Sequence, residues 1–437
     1  MKKSYLIIAA AALSFASCKS SIKPDKPDRG DADFTKYVAL GNSLTAGFAD
    51  GSLYRSGQEN SYPAMLANQF AMVGGGAFTQ PLLLDEAGWP VLRKVLGYKP
   101  NCATGIVGLS PVNYDANING SNSTNISTAS GYNNLGVPLI RCIDYAFPGY
   151  GKLNPYAARF YSGPERDGTP MAVALAADAT FFTCWLGNND VLGYATGGGV
   201  GAVGGINPGD ISPTSVFKAT YDALINGMVA KGAKGVLMNI PDVSATPFFT
   251  TIPANGLVLS RQGQADTLTE AYLPLGIKFN LGANYFIIED AAAPGGLRQA
   301  KAGEYVLLTA SDSLTCGGWG TRKPIPNAFV LTETEVANIN EATAAFNNII
   351  AENAERHNLA FVDMNAYLKT LAAGVTWNGI TYTPTFITGG AFSLDGIHLT
   401  QRGYALATNE IIKAINRKYN ATLGMVDANN YKGITFP

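Results

Sequence analysis

Tyr37-Val38-Ala39-Leu40-Gly41-Asn42-Ser43-Leu44-Thr45-Ala46-Gly47 is a short apolar run that breaks into a turn marked by glycines. The run reads as a buried strand, and the glycines signal a tight connection to a helix. A serine on such a strand-to-helix turn stands at the carboxyl edge of a sheet, where open α/β sheets place their sites. Working outward, Thr180-Phe181-Phe182-Thr183-Cys184-Trp185-Leu186 is a second strand-like run. It empties into Gly187-Asn188-Asn189-Asp190, which offers a side-chain amide donor at a strand end.

A third segment supplies a base. The chain has only two histidines, His357 and His398, so acid/base chemistry by an imidazole must use one of them. His357 lies in the polar run Glu352-Asn353-Ala354-Glu355-Arg356-His357-Asn358, at the end of an amphipathic helix, where a solvated histidine is expected. His398 closes Asp395-Gly396-Ile397-His398, with a carboxylate three positions before it. Asp395 can accept a hydrogen bond from one ring nitrogen and fix the tautomer, so that the other takes a proton from a nucleophile.

Gly41-Asn42-Ser43-Leu44, Gly187-Asn188-Asn189-Asp190 and Asp395-Gly396-Ile397-His398 resemble, in order, the first, third and fifth blocks of the SGNH (GDSL) hydrolases. The resemblance runs from about residue 34 to about residue 418. It implies a flavodoxin-like three-layer α/β/α sandwich around a mainly parallel sheet. It further implies Ser43 as nucleophile, His398 as base, Asp395 as its orienting partner and Asn189 as an oxyanion-hole amide, beside the backbone N–H of Ser43. Asn42 stands where the family usually has Asp, a position outside the triad. Asn133-Asn134-Leu135-Gly136-Val137-Pro138-Leu139 resembles the second block, with Leu139 where the family usually has glycine. Since only a backbone N–H is asked of that position, Leu139 is the expected second oxyanion donor, and Gly136 is the fallback. Gly235-Val236-Leu237-Met238-Asn239-Ile240-Pro241-Asp242 is similar to a strand and turn of the longer, lipase-like members.

The implied chemistry is hydrolysis of a carboxylic ester with no cofactor and no metal. Lipid acyl esters, acylated glycans and small esters are all open as substrates, and acyl transfer to an acceptor hydroxyl is not separable from hydrolysis. The alternative from another class is a non-catalytic glycan-binding or structural lipoprotein on the same fold, which has no need of Ser43, Asn189, Asp395 and His398 together.

The amino-terminal end carries a different signal. Met1 to Cys18 combines Lys2 and Lys3, an apolar stretch too short to span a bilayer, and Phe15-Ala16-Ser17-Cys18. This resembles a bacterial lipoprotein leader with Cys18 as the lipidated residue. The expectation is an exported protein anchored to a membrane, periplasmic or on the cell surface. Residues 19–33 (KSSIKPDKPDRGDAD) are polar, charged and proline-bearing and read as a flexible tether.

The remaining chain of the 437 residues exceeds a typical domain, but the blocks spread over its whole length favour one hydrolase domain, 34–437. Large insertions are expected at about 74–133 and 241–326. The first is rich in Gly, Asn and Ser and reads as long loops; the second could form a substrate wall or mere decoration. Outside them the α/β rhythm is legible, with helices over 62–72 and 215–231 and a strand over 235–240. Thr332 and Glu335 then form a capping-box pattern that opens a helix to about Arg356, followed by a strand over 359–363 and a last helix from about 399 to 418. A formal net charge of −1 with no dense Lys/Arg run gives no support to nucleic-acid binding. Of the four cysteines after Cys18, Cys184 sits in an apolar strand as a buried thiol, while Cys102, Cys142 and Cys316 could pair in an exported protein.

Overall fold

Period-two alternation in the strands builds the domain. In the computed structural model, which describes residues 26–437, β1 (Tyr37–Gly41), β2 (Asn134–Gly136), β3 (Phe181–Trp185), β4 (Lys234–Met238) and β5 (Ala360–Val362) form one sheet. Its order is β5-β4-β3-β1-β2, and every pairing is parallel. Val38, Leu40, Phe182, Cys184 and Leu237 point into one hydrophobic cluster, while Tyr37, Ala39, Phe181, Trp185, Val236 and Met238 point into a second. Both faces are therefore buried, which is why the strands read as continuous apolar runs.

Helices cover each face. On the first lie α4 (Thr214–Val229) and α5 (Glu333–Arg356), with Phe217 stacked on Phe346 at 4.1 Å. On the second lie α2 (Tyr62–Ala71), α6 (Met364–Ala373) and α7 (Gln401–Tyr419); the short α1 (Ser43–Ala46) and α3 (Asn189–Thr196) stand at the carboxyl ends of β1 and β3, with Val191, Tyr194 and Ala195 of α3 in the first cluster. The order is the flavodoxin-like 2-1-3-4-5, so the topological switch falls between β1 and β3. The expected sandwich is observed, and the expected elements differ by a residue or two at their ends. The Thr332 N–H donates to Glu335 Oε2 at 2.6 Å, closing the expected capping box.

Three features depart from the sequence reading. The first is in the segment 74–133, which is not loop throughout: Lys94–Pro100 and Val107–Asn113 pair as an antiparallel hairpin. Gly97, Gly108, Pro100 and Pro111 disguise it, and an exposed two-stranded ribbon tolerates residues that a central strand would not. Beyond its first strand, Cys102 is joined to Cys316 by a disulfide, with Cα atoms 5.9 Å apart, and Lys99 pairs with Asp312 at 2.9 Å. The bond ties the two insertions together, while Cys142 and Cys184 are buried free thiols.

The second insertion has its own small core, in which Leu257, Leu268, Phe286, Ile288, Ile325 and Val330 are all buried. Third, the end of the expected tether is docked. The N–H of Asp31 donates to the Tyr419 carbonyl at 2.7 Å, Asn420 Nδ2 donates to Asp31 Oδ2 at 2.6 Å, and Ala32 and Phe34 are buried. The last turn of a helix leaves carbonyls without partners, and the incoming segment satisfies one of them. Cys18, the leader and residues 19–25 lie outside the described residues. Among the described residues no helix is long and apolar enough to cross a membrane.

Candidate active site

The first and third blocks enter the site at the ends of β1 and β3, and the last lies in the loop before α7. Gly41 closes β1 with φ 151°, and a Cβ there would lie 2.4 Å from the Trp185 carbonyl oxygen. Only glycine lets β1 stay this close to β3 while the chain turns into α1. Asn42 caps α1, accepting from the Leu44 N–H at 3.0 Å, and its Nδ2 donates to Asn188 Oδ1 at 3.1 Å. An amide at this position both accepts and donates, so it locks the two turns side by side, which a carboxylate could not do.

Ser43, the first residue of α1, is thereby held with its Oγ 2.8 Å from His398 Nε2. The opposite ring nitrogen, Nδ1, lies 2.9 Å from Asp395 Oδ2. A proton on Nδ1 satisfies this network and leaves Nε2 free to accept from the serine. Asp395 Oδ1 accepts from the N–H groups of Ile397 and His398, both at 2.8 Å, and Oδ2 also accepts from the Gly51 N–H at 2.9 Å. Burial alone would raise this carboxyl, but the neighbouring His398 and the backbone donors outweigh it and hold Asp395 well below the usual carboxylate range. Its anionic form is thus fixed beside the imidazole. Gly396 takes φ +73°, and a Cβ there would meet the Phe248 nitrogen at 2.9 Å. The Phe248 N–H donates to the Gly396 carbonyl, so the second insertion braces this loop.

The third block lies against the second. Asn189 Nδ2 donates to the Ile140 carbonyl at 2.9 Å, which leaves its other N–H without an acceptor among the described residues. Asp190 bonds outside its own turn. It accepts from the Cys142 N–H at 2.6 Å and so clamps segment 139–142 to the start of α3; burial pushes its carboxyl up to about 7. Leu139 adopts φ +71° with its side chain 68% exposed, and its N–H has no acceptor among the described residues. The fallback donor is occupied, since the Gly136 N–H donates to Asn134 Oδ1 at 3.0 Å.

A left-handed leucine costs about 1–2 kcal/mol, and Leu139 buries too little to lose much packing. Glycine at this position pays about 0.5–1 kcal/mol in chain entropy. Leu139→Gly is therefore expected to raise stability by up to about 1 kcal/mol, read as a higher urea midpoint. A fall in the midpoint would mean that the leucine side chain holds the segment in place.

His357 caps the carboxyl end of α5 at the opposite edge of the sheet, near Lys234 at the start of β4. Asp242 and Asp363 serve as helix caps, accepting from Ser244 and Ala366. Among the described residues no group of three or more His, Cys, Asp or Glu side chains is placed to hold a metal ion. What sequence reading missed is the Gly51 N–H on Asp395; the Asp50-Gly51 dipeptide is a turn signal, but nothing local says where the turn points.

The family model described as GDSL-like lipase/acylhydrolase matches residues 37–411. No curated protein matches the chain. Among solved structures, the chain is similar to an extracellular lipase of Streptomyces rimosus, at 14% identity and a TM-score of 0.34, over 87% of this chain and 99% of that one. It is also similar to a mutant of an acetyl-xylooligosaccharide esterase from Geobacillus, at 13% identity and a TM-score of 0.33, over 88% of this chain and 96% of that one.

Proposed function

The chain belongs to the GDSL-like lipase/acylhydrolase family, and from that premise we propose that it is a carboxylic ester hydrolase acting through Ser43, His398 and Asp395. The observation that carries this reading is the continuous line of hydrogen bonds from Ser43 Oγ through His398 to Asp395, set beside the topological switch of the sheet. His398 Nε2 takes the serine proton as Oγ attacks the ester carbonyl, and the anionic Asp395 stabilises the imidazolium that forms. The N–H groups of Ser43 and Leu139 and the free N–H of Asn189 receive the developing oxyanion. The imidazolium then gives its proton to the leaving alkoxide, and water activated by the same histidine releases the acid from the acyl-enzyme.

Leu44 and Ile397, the chain neighbours of Ser43 and His398, line an apolar cavity together with Trp185, Met364, Leu368 and Leu406. Its volume is about 60 Å³, well below that of a drug-sized ligand site. A series of nitrophenyl esters from acetyl to palmitoyl tests the reading, together with a serine-directed organophosphonate. The expected result is turnover of at least part of the series and a single adduct on Ser43. No turnover and no adduct would remove the hydrolase reading and favour a binding protein.

A further inference from the structure

We propose that the turn Ala49-Asp50-Gly51-Ser52 is a positioning clasp for Asp395, with Asp50 as its central positioning residue. This rests on the triad reading above and extends it to a segment outside all the family blocks quoted from the sequence. Ala49 and Ser52 exchange both backbone hydrogen bonds, at 3.0 and 3.1 Å, and Asp50 and Gly51 between them both take positive φ, +54° and +77°. This is the pattern of a two-residue type I′ turn, for which Asp-Gly is a favoured pair. In such a turn the N–H groups of the two central residues are not used by the turn itself.

Both point to the loop that carries the base. The Asp50 N–H donates to Ser393 Oγ at 2.9 Å, and the Gly51 N–H donates to Asp395 Oδ2 at 2.9 Å. Asp50 adds an acceptor of its own: Oδ1 takes the Leu394 N–H at 3.0 Å, while Oδ2 takes the Tyr54 hydroxyl at 2.8 Å. Three successive residues, Ser393, Leu394 and Asp395, are therefore gripped by two.

The Asp395 oxygen held by Gly51 is the one that faces His398 Nδ1, so the clasp fixes the carboxylate against rotation about its side-chain bond. The clasp is itself anchored, because the Lys94 N–H donates to the Asp50 carbonyl at 2.8 Å where the disulfide-tied hairpin begins. Arg93, over the rings of Tyr54 and Tyr114 at 4.8 and 4.4 Å, stands behind it.

Asp50→Gly keeps the positive φ and removes only the carboxylate. It is expected to lower kcat about 10- to 100-fold with KM within about twofold, as for a displaced catalytic group. Asp50→Asn should restore most of kcat, since its amide can accept from Leu394, donate to the Tyr54 oxygen and tolerate positive φ. A structural role alone would not split kcat from KM or be rescued in this way.

If Asp50→Gly does not fold, Tyr54→Phe removes a single hydrogen bond to Asp50 and is expected to lower kcat severalfold at unchanged KM. Wild-type kcat in Asp50→Gly or in Tyr54→Phe, or an Asp50→Asn as slow as Asp50→Gly, would overturn the clasp. Ser43→Ala separates the two readings: if it stays active, the triad itself is wrong, whereas an inactive Ser43→Ala beside a fully active Asp50→Gly removes the clasp alone.

Discussion

Ser43→Ala and His398→Ala are each expected to lower kcat for ester hydrolysis by about 10⁴- to 10⁶-fold, and the double substitution to be hardly worse than either one, because nucleophile and base act as a unit. The 2.8 Å contact between Ser43 Oγ and His398 Nε2 is the physical ground: without the imidazole the hydroxyl keeps its proton, and without the hydroxyl the imidazole has no nucleophile to activate. Folding should survive both changes. Ser43 gives up a hydroxyl from a largely buried position, and the loop from Ser393 to His398 stays closed by its own backbone bond at 2.8 Å. His357→Ala, half-buried at the opposite edge of the sheet, is the control and should leave the rate within about twofold, because the change lies away from the triad. An inactive His357→Ala beside an active His398→Ala would end the assignment.

Asn189→Ala is expected to cost about 10²- to 10³-fold in kcat with little change in KM, the pattern of a donor used chiefly when negative charge has developed on the substrate oxygen. The geometry also explains why the amide is held ready in the absence of substrate. One N–H is spent on the Ile140 carbonyl at 2.9 Å, which fixes the plane of the amide and leaves the other N–H available. The same bond fastens the segment bearing Leu139, so the two proposed side donors are placed by one contact. Asn189→Asp turns the donor into an acceptor and should be slower than the alanine variant, because a carboxylate repels the oxyanion. A loss confined to KM in Asn189→Ala would make this residue a contact to bound substrate and leave the oxyanion with the backbone donors alone.

Much of the proposed site is legible in the sequence. Ser43, Asn189, Asp395 and His398 each sit in a short block whose residue types carry their chemistry, and each block follows an apolar run or precedes a helix start that local pattern reveals. The doubt between Leu139 and Gly136 was not resolvable in that way. Both offer an N–H, and the deciding fact is that Asn134 Oδ1 occupies the N–H of Gly136 while Leu139 turns to φ +71°. The hairpin over 94–113 was hidden by its prolines and glycines, and the docking of residues 28–33 by their polar composition, since hydrogen bonding to the end of α7 leaves no apolar period in the chain.

The sequence by itself marked apolar strand runs, the glycine turns that end them and the polar residues beside those turns, because these are properties of neighbours in the chain; the parallel sheet was implied by the resemblance of three short blocks to one family. Only the tertiary structure decided which groups meet: Asp190 with the Cys142 N–H, Asp50 and Gly51 with Ser393 to Asp395, and Cys102 with Cys316. These partners stand between 48 and 344 positions apart. A hydrogen bond or a disulfide depends on distance in space to within a few tenths of an ångström, and no local pattern encodes that distance; it is set by how two helical layers pack on the sheet and by where the insertions fold back over its carboxyl edge.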